Sequence, residues 1–250
     1  MQDVKKRQHA GKNHSYRNTV KFLIIFAAHF TVSPMSKADD LFQFHAFNMQ
    51  YLYGTTHELG KRERHVITLQ YANGWKYGDT FAFMDISEMD TIYAEIHPRF
   101  SLSKITGQKF SYGILKDISI ATTFEFPEAP NRQLYGVGLD WDIPGFRFFK
   151  TNFYKRFDPS LTGSSEQVTV IWNYPFTIGK QPFLLDGFLD IATKEGDRVS
   201  NQHIQASLLW QPFHDIKNIW VGTEYILWHN KFGLRGVDES VAQFQLRINF

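Results

Sequence analysis

VAQFQLRINF, residues Val241 to Phe250, alternates at every step. Ala242, Phe244, Leu246, Ile248 and Phe250 share one side, while Gln243, Gln245, Arg247 and Asn249 share the other. Only an extended strand, whose side chains point to opposite faces in turn, separates these two sets. A tilted strand of roughly ten residues is also what crosses the hydrocarbon core of a bilayer. The segment therefore reads as one stave of a membrane barrel, apolar towards lipid and polar towards the lumen.

The same test succeeds upstream through the chain. Phe47, Met49 and Tyr51 alternate with Asn48 and Gln50; Ile67, Leu69 and Tyr71 with Thr68 and Gln70; Ile92, Ala94 and Ile96 with Tyr93, Glu95 and His97. Ile118 to Phe126, Tyr135 to Asp142, Phe149 to Arg156, Gln167 to Tyr174, Leu185 to Ile191, His203 to Trp210 and Ile219 to Trp228 repeat it. A strand from Trp75 to Ile86 brings the total to about twelve, and an even number returns both chain ends to one side of the membrane. Polar stretches at Thr55 to Arg64, Asp158 to Ser165, Lys194 to Ser200 and Lys231 to Glu239 read as outer loops, whereas Ile143 to Phe146 and Phe213 to Lys217 read as short inner turns. The expected fold is all-β, a transmembrane antiparallel β-barrel. The competing architecture, a soluble sandwich or lipocalin-like barrel, would turn the aromatic face inward.

Composition agrees with fine interleaving of polar and apolar residues. Aromatics are 16% of the 250 residues, including 24 Phe, yet charged residues reach 21% and mean hydropathy is −0.33. The absence of Cys excludes disulfides, Cys-ligated zinc and a Cys nucleophile. Lys5, Lys6, Arg7, Lys12, Arg17 and Lys21 precede an apolar run from Phe22 to Val32 and then Ser36-Lys37-Ala38. That order is the layout of a cleaved export signal over residues 1–38, with the barrel occupying 39–250. Its removal takes away seven bases and one acid, so 27 bases against 25 acids become 20 against 24 and the formal charge passes from +2 to −4. No basic stripe then remains for nucleic acid.

Chemistry is concentrated on the polar faces. Asp79-x-Phe81-x-Phe83-x-Asp85 and Asp186-x-Phe188-x-Asp190 each place carboxylates and rings on one side of a strand. Charges are costly on a lipid face, so both sets are expected in the lumen. Rings stack on flat solutes while carboxylates accept from hydroxyls. The bland alternative is a packed interior in which the acids pair with Arg99, Lys150, Arg156 and Arg247. His45, His97 and His203 lack the Ser and acid partners of a hydrolase, and no His pair has the i, i+2 spacing of a strand-borne metal site, so neither enzyme nor metal is expected.

His97-Pro98-Arg99-Phe100-Ser101-Leu102-Ser103-Lys104-Ile105-Thr106-Gly107, followed by Phe110-Ser111-Tyr112-Gly113, resembles the fourth-strand and turn signature of the Tsx-like nucleoside-specific channels and the related OmpK proteins. The Asp79 to Asp85 strand resembles that family's D-x-Y-x-Y-x-D, with Phe for Tyr at Phe81 and Phe83, and Asn152-x-Tyr154-x-Arg156 resembles N-x-Y-x-K. Leu59 stands before Gly60 where channel members carry an aromatic. The resemblance covers about Leu41 to Phe250. It implies a monomeric twelve-stranded barrel of the Gram-negative outer membrane that passes nucleosides down their gradient without a cofactor. Contacts are expected in outer-leaflet lipopolysaccharide and, through the last strand, in the barrel-assembly machinery. Outer loops of some members receive phage or colicin, and a non-conducting surface receptor is the alternative function. The expected lining comprises Phe81, Phe83, Tyr154, Phe188 and Trp228 as stacking rings, with Asp79, Asp85, Glu95, Arg99, Arg156, Asp186, Asp190 and Glu224 contacting hydroxyls and base edges.

Overall fold

A computed structural model describes residues 41–128 and 130–250. The expected export signal lies outside them. Twelve strands follow one another: β1 Phe42–Gly54, β2 Arg64–Trp75, β3 Gly78–Ser87, β4 Thr91–Ser101, β5 Leu115–Phe126, β6 Arg132–Trp141, β7 Phe148–Phe157, β8 Ser165–Ile178, β9 Gln181–Ala192, β10 Asn201–Trp210, β11 Ile219–His229 and β12 Glu239–Asn249. Each pairs antiparallel with its neighbours in sequence, and β12 closes on β1. Closure leaves no unpaired edge, which is the condition for a sheet to sit in hydrocarbon.

Register carries one inside/outside parity around the whole ring. Gln50 lies opposite Arg247 at the seam and opposite Thr68 on β2. Thr68 faces Asp85, Asp79 faces Arg99, and the sequence of partners continues to Trp228 opposite Glu239. All of these residues share the lumen. The opposite parity is apolar and open: Phe244 is 51% exposed while its neighbour Gln245 is 0% exposed. Ile120, Val137, Phe153, Leu208 and Leu227 are likewise exposed, whereas the buried residues are mainly polar, among them Gln50, Thr123, Asn152 and Gln243. This inverts the distribution of a water-soluble protein and excludes the lipocalin-like alternative.

The connections sort by end. Residues 55–63, 88–90, 127–128 with 130–131, 158–164, 193–200 and 230–238 lie at one end, and 76–77, 102–114, 142–147, 179–180 and 211–218 at the end where β1 starts and β12 stops. The expected strand from Trp75 to Ile86 is corrected at its start. Trp75 closes β2 and pairs with Gly78 across a two-residue turn, which the sequence reading passes over because neither Lys76 nor Tyr77 is Gly or Pro. Gly78 serves the sheet instead: a Cβ there would lie 1.8 Å from the Arg99 carbonyl oxygen.

Beyond β4 the chain makes one short helix, α1 Leu102–Thr106. Ser101 caps it by accepting from the Lys104 N–H at 3.0 Å, and Gly107 ends it in the left-handed region at φ 71°. Asp117 accepts from the Ser103 hydroxyl at 2.6 Å and also from the Ser101 hydroxyl. Lys104 donates to Gln43 at 2.8 Å and to the carbonyls of Trp75 and Gly78, each at 3.0 Å. This end of the barrel is thereby tied to β1, β2, β3 and β5.

Replacing Phe244 by Arg puts a charge on the lipid face near mid-strand and should cost about 2–4 kcal/mol of folding free energy in a bilayer. Denaturant titration of refolding into vesicles measures it. An unchanged midpoint would contradict the assigned parity.

Candidate functional site

Two kinds of chemistry divide the lumen. Towards the end where β1 starts and β12 stops, ion pairs reach across it. Arg99, 3% exposed, donates to Asp79 at 3.3 Å and pairs closely with Asp140. Lys150 meets the other Asp79 oxygen at 2.9 Å. Asp79 stands on β3 and Lys150 on β7, so this contact spans a chord of the ring rather than following the wall. Gly138 makes room for the arrangement, since a Cβ there would lie 2.7 Å from the Arg99 Nη2 and 2.6 Å from the Asn152 Oδ1. Arg247 of β12 grips Asp186 of β9 with two bonds, at 2.6 and 3.1 Å. A fork of this kind fixes geometry as well as charge.

Along the β12 wall Gln245 donates to Gln50 at 2.5 Å and Gln243 to Glu224 at 3.0 Å. Towards the opposite end Arg156 binds both oxygens of Glu125, the resolved longer contact being 2.9 Å. Arg132 joins them at 3.4 Å from Glu125 and reaches Asp158 at 2.5 Å.

Between and above these pairs the lining becomes aromatic. On β3 and β4, Phe83 stacks with His97 at 6.2 Å and 17°, and Phe81 lies 5.7 Å from the same imidazole. Tyr93 adds a fourth ring 6.0 Å from Phe83. Their polar companions are Glu95, which accepts from the Tyr93 hydroxyl and has an oxygen 3.1 Å from the His97 Nε2, and Asp85, which accepts from Thr68 at 2.6 Å. Six strands away, on the facing wall, Trp228 stacks on His203 at 3.9 Å and 8°. Phe188 meets the His203 edge at 5.0 Å, and Asp190 accepts from Thr169 at 2.5 Å.

The outer loops are anchored onto this wall. The Asp158 N–H and the Ser165 hydroxyl donate to Glu195 at 3.0 and 2.9 Å. Burial raises the Asp158 carboxyl, but the Ser160 hydroxyl and N–H and the Arg132 guanidinium outweigh it and hold the group below the ordinary carboxylate range. Its contribution is present above that range and fades as pH falls through it. Lys231, in a single 3₁₀ turn Lys231–Gly233, pairs with Glu239 and sits 5.1 Å above the Trp228 ring. Among the described residues no three His, Asp or Glu side chains converge as metal ligands.

All thirteen residues singled out from sequence have luminal parity, but they occupy different settings. Phe81, Phe83, Asp85 and Glu95 come together on one wall, and Phe188, Asp190 and Trp228 on the other. Asp79, Arg99, Arg156 and Asp186 are engaged in ion pairs. Tyr154 and Glu224 are buried within the wall, at 5% and 6% exposure, and do not present free surface. The four cations named as possible partners, Arg99, Lys150, Arg156 and Arg247, each hold a luminal carboxylate. His97, His203 and Tyr93 were not singled out, although their parity was readable. Asp140 and Glu125 were missed for a different reason: their role exists only once Arg99 and Arg156 reach over intervening strands.

Comparison with known proteins agrees with this architecture. The family model described as "Nucleoside-specific channel-forming protein, Tsx" matches residues 40–245. Outer membrane protein OmpK of Vibrio parahaemolyticus is 22% identical over 173 residues, which are 61% of this chain and 63% of that protein. A second OmpK from the same species is 28% identical over 95 residues, 37% of this chain and 36% of that protein. The chain thus spans less than two thirds of the length of these relatives. Among solved structures, the NanC porin superposes with a TM-score of 0.54 at 12% identity, covering 82% of this chain and 98% of that one. The KdgM porin superposes with a TM-score of 0.50 at 9% identity over the same shares. At these identities the likeness is one of fold.

Removing the cation that spans the lumen should widen it and leave Asp79 under-compensated. Lys150→Ala is therefore expected to raise single-channel conductance in planar bilayers and to shift ion selectivity towards cations. Unchanged conductance and selectivity would mean that the Lys150–Asp79 contact does not limit the pore.

Proposed function

The chain belongs to the Tsx family of nucleoside-specific channel-forming proteins, and from that membership and its lumen we propose that it passes nucleosides by diffusion. Its place is the Gram-negative outer membrane, and its family and fold are of channel type. The observation that carries the nucleoside reading is the pair of stacked ring sets on facing walls, Phe83 with His97 and Trp228 with His203. Each has hydrogen-bonding carboxylates beside it, Asp85 and Glu95 on one side and Asp190 on the other.

A nucleoside presents a flat base with polar edges and a ribose with hydroxyls. Ring stacking contributes roughly 1–3 kcal/mol per base and tolerates any base, since all have a π face. Carboxylates accept from ribose hydroxyls and exocyclic amines. A few such contacts, offset by the cost of immobilising the solute, give weak binding. Weak binding is what conduction requires, because a site that holds its solute tightly does not release it. The acidic groups beside the rings also disfavour anionic solutes, so neutral nucleosides fit better than nucleotides. Phe81 and Phe83 offer stacking without the hydroxyl that Tyr would add.

The competing reading is a barrel closed by its own ion pairs and serving as a surface receptor. Lys150–Asp79 across the lumen is the observation behind it. Planar-bilayer recording of the refolded chain, titrated with adenosine, thymidine and glucose, separates the two. Saturable block by the nucleosides and none by glucose is expected. Phe83→Ala should raise the half-blocking nucleoside concentration by about fivefold or more, the lower end of one lost stacking contact, while Phe83→Tyr keeps it. Stable insertion with no conductance would overturn the channel reading, and equal block by glucose would overturn nucleoside preference.

A further inference from the structure

A notch of about 980 Å³ opens at the outer end of the barrel between the 193–200 and 230–238 loops. It lies on the outside of the ring. Ile191, which lines it, pairs with Gln202, and Gln202 pairs with His229; all three have the outward parity of the lipid-facing residues. One step towards mid-membrane the same face is wholly apolar, with Leu189 opposite Ile204 and Ile204 opposite Leu227. The notch therefore sits where the hydrocarbon ends and headgroups begin.

Its charge is cationic. Lys194, Arg198 and Arg235 line it against one acid, Asp197. Arg198 lies 3.6 Å from Asp197, which is itself 81% exposed. Lys194 and Arg235 are exposed, and among the described residues their side chains form no ion pair. His229, also in the lining, pairs with Asp238 at 2.8 Å. Two cations without a counter-ion, standing directly over an unbroken apolar strip, match an amphiphile whose anionic head is joined to acyl chains. Arg and Lys at this depth bind phosphate in preference to a neutral sugar, Arg through its fork and Lys as a point charge.

We propose that the notch between the two loops binds the phosphate-bearing headgroup of an outer-leaflet glycolipid, with Lys194 and Arg235 holding phosphate and the acyl chains descending over Ile191, Ile204 and Leu227. The binding would seat the barrel at a defined depth and brace the two loops against each other from outside the pore. It rests on the outer-membrane location of the chain and is independent of which solute passes through the lumen.

The test uses the full chain refolded in a nonionic detergent and native mass spectrometry. Three probes are compared: bisphosphorylated acylated diglucosamine (lipid A), the same lipid without phosphates, and inorganic phosphate. One lipid A retained per barrel is expected, with weaker retention of the dephosphorylated lipid. Lys194→Gln with Arg235→Gln should weaken lipid A binding by roughly thirtyfold, while Lys180→Gln, at the opposite end, leaves it unchanged. The melting temperature of the lipid-free double variant should equal that of the parent, since neither side chain has a partner to lose. Equal retention in parent and double variant would overturn the proposal, as would equal retention of the dephosphorylated lipid. Inorganic phosphate that binds as tightly as lipid A would overturn the lipid assignment and leave a site for the soluble anion.

Discussion

Everything in this molecule follows from the requirement that no backbone N–H or C=O be left unpaired in hydrocarbon. A sheet meets it only by closing on itself, and here the closing pair is β1 with β12, where Gln50 meets Arg247 and Tyr51 meets Leu246. Closure then forces parity. Once one residue of the ring is assigned to the lumen, hydrogen-bonded register assigns every other strand residue. A slip of one residue anywhere would carry Phe or Leu into the pore and Arg or Asp into lipid, so the alternating pattern and the closed ladder enforce each other.

The interior that results has to satisfy opposing demands. Its polar side chains are withdrawn from bulk water by the narrowness of a twelve-strand ring, and charged ones among them need partners. Arg99, Arg156 and Arg247 find these on non-adjacent strands: Asp140 two strands away, Glu125 two away, Asp186 three away. Such bonds brace the cylinder as spokes do, and each one narrows the passage it braces. Gly138 shows how closely the lining is fitted, because the smallest possible side chain there would collide with the Arg99 guanidinium. The space a side chain would take there is filled by the ends of Arg99 and Asn152, so any larger residue would have to displace both.

Most of the fold was legible in sequence, because period-two alternation is a local property. Val241 to Phe250 could be read as a strand with a named lipid face from ten residues, and the same reading placed Phe81, Asp190 and Trp228 in the lumen. The error at Trp75 arose because the two turn residues, Lys76 and Tyr77, are neither Gly nor Pro, and the local marks of the reversal are the glycines outside them, Gly74 and Gly78. The ion-pair pattern was not legible beyond a list of possible partners. Whether Lys150 meets Asp79 depends on the stagger of three intervening strands, a quantity that no single strand encodes. His97 and His203 were visible as luminal but bland, and they became informative only when register set Phe83 and Trp228 beside them.

The vertical order of these features bears on how a channel of this kind can select without trapping. The rings and carboxylates of the two facing walls stand level with the Arg156–Glu125 pair, and the cross-lumen pairs of Asp79 and Asp186 lie nearer the end where β1 starts. Stacking surfaces are tolerant of ring identity and do not need to strip a solute of all its water. A lining of paired charges is close to neutral, so it acts on a solute through the space it leaves and the cost of desolvation rather than by attracting one sign of charge. Weak contacts along the walls can raise the local concentration of a solute while leaving its exit fast. This explains why the aromatic walls can do without a tight binding site.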